Sequence, residues 1–352
     1  MELQMIKKNK MYQNAIATPN HLELALKQLK LQGEIDEDFD KIIIAGMGGS
    51  GVIGNIILDW LESSTPTLIH TWKDYSLPAW ANSKTLVIAI SYSGNTEETI
   101  SAVLEALNKN CKLAIITSNG ILEKLASKRN IPIVKVPSGY QPREALPYLL
   151  TAALITIGEA RILGNWQNQL QKAIETLKIM RRELEDEGGK ARQIADTIKN
   201  HAVVIYAYKP LRAAALRFKQ QLNENSKSWA KVEIIPEAGH NEIVGWRAEK
   251  DALSNLKAIF IRDALESKVM EARVAAFKEE VERAGVESID IKARGREVLS
   301  RIMSIIYLCD VTSIYLAAMK GVDPLNIEPI SNLKEKLKST GYLKELISNF
   351  VY

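Results

Sequence analysis

Two cysteines are all that the 352 residues contain. Cys111 and Cys309 both stand in apolar surroundings, and no CxxC spacing exists. That excludes a disulfide framework and a cysteine metal cluster, and it reads as buried free thiols in a reducing, cytoplasmic compartment. Histidine is scarce too: four, at positions 21, 70, 201 and 240, are too scattered for a metal site. No HExxH and no paired-carboxylate ligand set appears, so no metal is expected. Charge of one sign is also lacking, since 46 basic and 42 acidic residues leave a net +4. There is no Lys/Arg stripe with interleaved aromatics, which argues against nucleic acid as a partner. The opening MELQMIKKNKMYQ has no apolar core of a signal peptide. No apolar run approaches the length of a membrane span, so no membrane partner is expected.

What the chain does have is ordinary globular composition, 46% apolar and 25% charged, at a length that suits two domains. Residues 1–40 read as polar and helical. Then strands and helices alternate. KIIIAG (41–46), LIHTW (68–72), TLVIAIS (85–91), KLAIITS (112–118) and IPIVKV (131–136) read as strands, with helices at 52–62 and 97–109. A long helical stretch over roughly 143–186 follows and ends at Glu187-Gly188-Gly189. The alternation restarts with strands AVVIYA (202–207), VEIIPE (232–237), AIFIRD (258–263) and SIDIKA (288–293), and a helix at 211–227. It closes on helices at 296–319 and from 329. Such alternation predicts an α/β fold of two doubly wound parallel-sheet subdomains joined by helices. The expected division is 1–150, a helical connector 151–195, and 196–352.

Two strand-to-helix loops carry the chemistry. In Gly46-Met47-Gly48-Gly49-Ser50-Gly51 the glycines permit a tight turn and close approach of an anion to a helix N-terminus. The string also satisfies the dinucleotide fingerprint, with Asp74 available as the ribose acid. A plain turn without a ligand stands beside both readings. In Ser91-Tyr92-Ser93-Gly94-Asn95-Thr96, three hydroxyls crowd one helix start, where a cap needs only one. Two such loops on adjacent strands suit one phosphate monoester, with Gly48, Gly49, Ser50, Ser91, Ser93 and Thr96 as its ligands.

GMGGSG and SYSGNTEET, taken with PSGYQPREALP, LNENSKSWA and PEAGHNEIVGW, make the chain resemble the bifunctional phosphoglucose/phosphomannose isomerases. These belong to the sugar isomerase (SIS) domain superfamily. The resemblance runs over roughly 41–336 and implies two SIS subdomains, a sugar-phosphate substrate, no cofactor, and a homodimer with a shared active site. It implies that Glu224 moves a proton between C1 and C2 of the open sugar through a cis-enediol, a task suited to a carboxylate. It makes His240, donated by the second subunit, the ring-opening group, with Glu242 in reach to orient it. Arg143, read at a helix start, becomes the residue that steadies the enediolate oxygens. Lys334, in Ile-x-x-Leu-Lys, becomes a second participant in ring opening. One position departs from the pattern: Ile327, beside Asn326, stands where a polar side chain two turns before the lysine is expected to serve the mannose epimer. The tail 339–352 runs past the expected end of such chains.

Each residue has an ordinary alternative, from a solvated helix glutamate to a surface-loop histidine. Two other functions also fit parts of the pattern. A phosphosugar-binding regulator would keep the serines and threonine without Glu224 or His240. A nicotinamide oxidoreductase would need only the first loop.

Overall fold

The computed structural model describes residues 6–186 and 188–351, the last three in backbone only. The first residues of the polar N-terminal stretch, and Glu187 at the expected end of the long helical stretch, lie outside the described residues. In chain order the first elements are α1 (Lys10–Ile16), α2 (Thr18–Gln28), β1 (Leu31–Gln32), β2 (Lys41–Ala45), α3 (Gly48–Leu61), β3 (Leu68–Trp72), β4 (Thr85–Ile90), α4 (Glu97–Asn108), β5 (Lys112–Thr117), α5 (Gly120–Arg129), β6 (Ile133–Lys135) and α6 (Leu146–Glu159). Then come α7 (Trp166–Leu184), α8 (Lys190–Ile198), β7 (Ala202–Ala207), α9 (Arg212–Ser226), β8 (Ala230–Ile234), a 3₁₀ turn (Glu237–His240), α10 (Glu242–Gly245), α11 (Lys250–Leu253) and β9 (Leu256–Arg262). The chain closes with α12 (Lys268–Arg283), β10 (Ser288–Lys292), α13 (Val298–Met319), α14 (Glu328–Ser339) and α15 (Tyr342–Val351).

The chain divides into two compact units, one of residues 21–167 with 326–352, the other of residues 1–20 with 168–325. The first is built on a six-stranded sheet in the order β1-β6-β5-β4-β2-β3. All of its pairings are parallel except β1 with β6. The short strands β2 and β4 are apolar on both faces because helices cover both. Ile43, Val87 and Ile115 join a core with residues of α4 and α5, among them Ile100, Val103 and Leu125. On the opposite face α3 lies against Ile44, where Gly54 lets it approach closely, and α6 packs on α3 and the sheet. That is the doubly wound arrangement expected from the alternation.

The second unit has an all-parallel four-stranded sheet, β10-β9-β7-β8. One face is covered by α12 through Val274, Phe277 and Val281 against Tyr206 and Phe260. α9 packs on β7 and β8 and is backed by α13, which also meets α8 and α1.

Several expectations are corrected. Helix α3 begins at Gly48, not Val52, so most of the expected glycine loop is already the first helical turn. Leu31 and Gln32, read within the polar helical stretch, form an edge strand against Ile133 and Val134. The long helical stretch expected over 143–186 is two separate helices, α6 and α7. Arg161 and Asn165, both at positive φ, break it. Trp166 packs so closely on Gly158 that any side chain there would collide with the indole. Finally, α13 is long and apolar enough to cross a membrane, which the expectation of no such run overlooked. Most of it is buried inside its own unit, and its two charges are paired, Asp310 with Arg217 and Arg301 with Asp263.

Candidate active site

In the six-stranded unit the strand order reverses between β2 and β4: β3 lies to one side of β2, while β5 and β6 continue beyond β4. Ala45 pairs with Ala89, so the two loops that follow leave adjacent strands side by side. That is the crevice where open α/β sheets bind ligands. The first loop runs straight into α3, whose N-cap residue Met47 offers no side-chain acceptor. Helix-start amides are thus left for an outside partner. Ser50 is buried, and its hydroxyl accepts the Tyr92 amide at 3.3 Å, stitching the two loops together.

In the second loop Ser91 is 1% exposed, and its hydroxyl lies 2.8 Å from that of Thr96. Thr96 occupies the N-cap of α4 yet makes no capping bond. The plain reading of these hydroxyls as caps is therefore not what the loop does; α4 keeps its N-terminal amides uncapped. Half-buried Ser93 accepts the Asn95 amide at 3.3 Å. Gly94 holds the loop against its neighbour, at φ +64, where an added Cβ would lie 1.8 Å from the Asn119 carbonyl oxygen. Thr99, in the first turn of α4, has a buried hydroxyl without a hydrogen-bond partner.

Arg143 does not sit at a helix start. It lies in a turn ahead of α6 and is only 3% exposed. Its backbone presses on the first loop: a Cβ on Gly49 would come within 3.2 Å of Arg143 Cα. Tyr92 joins the same region, donating to Pro137 O at 3.0 Å and accepting the Tyr140 amide at 2.9 Å. Tyr140 and Tyr148 share a 3.1 Å hydroxyl contact, with the ring of His21 stacked on Tyr148. Burial pushes the Tyr92 and Tyr148 phenols up and the His21 imidazole down, so all three are held neutral behind the loops. The structure thus gathers Gly48, Gly49, Ser50, Ser91, Ser93, Thr96 and Arg143 into one region. Sequence reasoning missed Tyr92 as the staple of that region, although it lies inside the hydroxyl-rich motif. It also missed Lys73, after β3, whose ammonium donates to Asn55 Oδ1 at 3.2 Å beside α3. Desolvation depresses the Lys73 pKa.

In the four-stranded unit Glu224 is half-buried, near the C-terminal end of α9. The helix carrying it is clamped to α13. Arg217 donates to both Asp310 oxygens at 3.0 and 2.9 Å, and Asn225 Nδ2 donates to Ser313 Oγ at 2.9 Å. Lys227, in the left-handed conformation at the helix end, donates to Glu224 O at 2.8 Å and Asp323 O at 2.7 Å. His240 ends the 3₁₀ turn and is exposed. Glu242 is not its orienting partner, because that carboxylate accepts from Tyr206 Oη at 2.9 Å and Lys231 Nζ at 2.6 Å. Lys334 stands on α14, none of whose side chains is buried. Half-buried Ile327 precedes α14, and Asn326 Oδ1 accepts the Glu328 amide at 2.9 Å, so Asn326 serves as a local cap. Among the described residues no three His, Cys, Asp or Glu side chains gather as metal ligands.

Comparison with known proteins bears on this geometry. Residues 187–337 match the family model described as bacterial phospho-glucose isomerase C-terminal SIS domain, and residues 37–136 match the SIS domain. A bifunctional phosphoglucose/phosphomannose isomerase of Aquifex aeolicus is 37% identical over 84% of this chain and 90% of its own. One from Caldicellulosiruptor bescii is 35% identical over 86% and 90%. Among solved structures, a hypothetical protein from Thermus thermophilus superposes with a TM-score of 0.71 at 14% identity, over 96% of this chain and 93% of its own. At that identity the likeness speaks for the fold alone.

Proposed function

The chain belongs to the bifunctional phosphoglucose/phosphomannose isomerase family, and from that premise we propose that it interconverts glucose 6-phosphate and fructose 6-phosphate. Mannose 6-phosphate is the second aldose. The phosphate is held by the amides of Gly48 and Gly49 and the hydroxyls of Ser50, Ser93 and Thr96, with Ser91 supporting Thr96. Glu224 takes the C2 proton of the open aldose, leaving a cis-enediol, and returns a proton to C1. Arg143 meets the charge that develops on the enediolate oxygens. His240 and Lys334 exchange the proton that opens and closes the ring. No metal or cofactor takes part, and activity survives prolonged treatment with EDTA.

The observation that carries the substrate class is the bond between Ser50 and Tyr92. It joins two uncapped helix starts at adjacent strand ends. Assaying purified protein with both aldoses and the ketose tests the reading. Binding of sugar phosphate without turnover of any of the three would replace it with a non-catalytic phosphosugar sensor.

We place His240 in the site of a second subunit of a homodimer, a role supported by its exposure at the tip of a turn. Mixing inactive Glu224→Ala chains with inactive His240→Ala chains then restores activity, because reassorted dimers hold one site with both groups. No recovery, with subunit exchange demonstrated, overturns the shared site.

A further inference from the structure

The assigned roles leave unexplained why the chain continues past Lys334. Helix α14, which carries Lys334, buries no side chain of its own. Ile330 is 38% and Leu333 58% exposed. A helix with so little packing has no fixed position unless its ends are held. Its C-terminal end is held. After Gly341 the chain turns back into α15, which packs on both α14 and α4. Leu343 and Leu346 lie against the core formed by α4, α5 and the sheet. Tyr342 meets the ring of Tyr75 edge-on at 5.6 Å, and its hydroxyl is 3.3 Å from Ser101 Oγ. Ser101 is in the second turn of α4, just beyond Thr96 at the N-cap. The helix that presents the phosphate hydroxyl is therefore the one on which the tail docks.

We infer that α15 is a positioning element. By docking on α4 through Tyr342, Leu343 and Leu346, it ties the helix bearing Lys334 to the scaffold of the phosphate loop. Substrate phosphate and ring-opening ammonium are thereby referred to one rigid body. This rests on the reading of Lys334 as a participant in ring opening. Tyr342, Leu343 and Leu346 touch no substrate; they act through α14. General acid–base groups supply about 10² to 10⁴ in rate, and a group on an untethered helix forfeits most of that through lost orientation.

The test uses the full chain, with five variants: Lys334→Ala, Leu343→Asp/Leu346→Asp, that pair combined with Lys334→Ala, Leu346→Met and Tyr342→Phe. kcat and KM for glucose 6-phosphate are measured, together with the affinity for inorganic phosphate by thermal shift. The double aspartate variant is expected to lose kcat about as far as Lys334→Ala, roughly 10²-fold, while its phosphate affinity stays within about threefold. Adding Lys334→Ala to it costs little more, since both remove the same group. Leu346→Met keeps the apolar contact and most of the turnover, and Tyr342→Phe, which keeps the ring contact, loses only a few-fold. If Lys334→Ala is impaired while the double aspartate variant turns over normally, the anchoring inference is wrong and the Lys334 reading stands. If phosphate affinity collapses together with kcat, α15 merely props up the loop, and the inference is equally wrong. Full activity of Lys334→Ala removes the Lys334 reading and this inference with it.

Discussion

In the loops after β4 and β2 there is no room for a methyl group: a Cβ on Gly94 would stand 1.8 Å from a backbone oxygen, and one on Gly51 2.5 Å from another. Around Glu224, His240 and Lys334 there is room, since these side chains are half-buried or exposed. The two strand-to-helix loops, proposed to hold the anion, are locked by backbone crowding and by hydroxyls bonded to one another. The helix that carries Glu224, proposed to move the proton, is held from behind by Arg217, Asp310, Lys227 and their partners. A phosphate must be met by donors that already point at it, because reorganising dipoles cancels the gain. A base that serves two carbons needs a well-placed backbone and some side-chain freedom. Damage at the two places should therefore look different.

The largest effect is expected at Glu224. Glu224→Gln keeps shape and removes basicity, so kcat falls by about 10² to 10⁴ with much less change in KM. Wild-type turnover in deuterated water places deuterium at C2 of recovered aldose. A folded Glu224→Gln enzyme with near-normal kcat would abolish the contrast between holding and proton-moving groups. Next comes Gly94→Ala, which forces a Cβ into a backbone contact at positive φ and costs about 3 kcal/mol of stability. Thermal denaturation should show it, and kcat of whatever remains folded should be normal. Smaller again are Ser93→Ala and Thr96→Ala. Each removes a hydrogen bond to a charged oxygen, worth about 1.5–3 kcal/mol, and raises KM without lowering kcat in proportion. Unchanged affinity in both would remove the phosphate assignment. The smallest effect is expected at Glu242→Ala. It frees Tyr206 and Lys231 at a cost of about 1–2 kcal/mol in stability, with kcat within about threefold of wild type. A collapse in turnover there would make Glu242 a proton-moving group and blur the comparison.

The two strand-to-helix loops were legible because their signals are local. Glycine marks a tight turn, and hydroxyls clustered before a helix mark more than a cap. Both are properties of a few adjacent residues. The break between α6 and α7 was not legible in the same way. The apolar period runs on through it, and what ends the helix is the packing of Trp166 on Gly158 with two residues at positive φ. Arg143 was misread for a related reason: its burial, with its backbone close against Gly49, comes from residues distant along the chain. Glu242 looked free beside His240 because Tyr206, which claims it, is 36 residues away. The membrane-like pattern of α13 became core because Arg217, 93 residues before Asp310, neutralises one of its two charges inside the unit.

By itself the sequence determined the β/α alternation, the parallel sheets, the two glycine- and hydroxyl-bearing strand-to-helix loops and, through motif resemblance, the family. These follow from backbone stereochemistry and side-chain period, which act between near neighbours. Tertiary structure alone decided that β2 and β4 stand side by side at the reversal of strand order, and that Tyr92 staples their loops to the segment of Arg143. It also decided that Glu242 is already engaged and that the C-terminal tail docks on α4. Each of these depends on which distant groups fill a given volume, and close packing settles that only once the whole unit has folded.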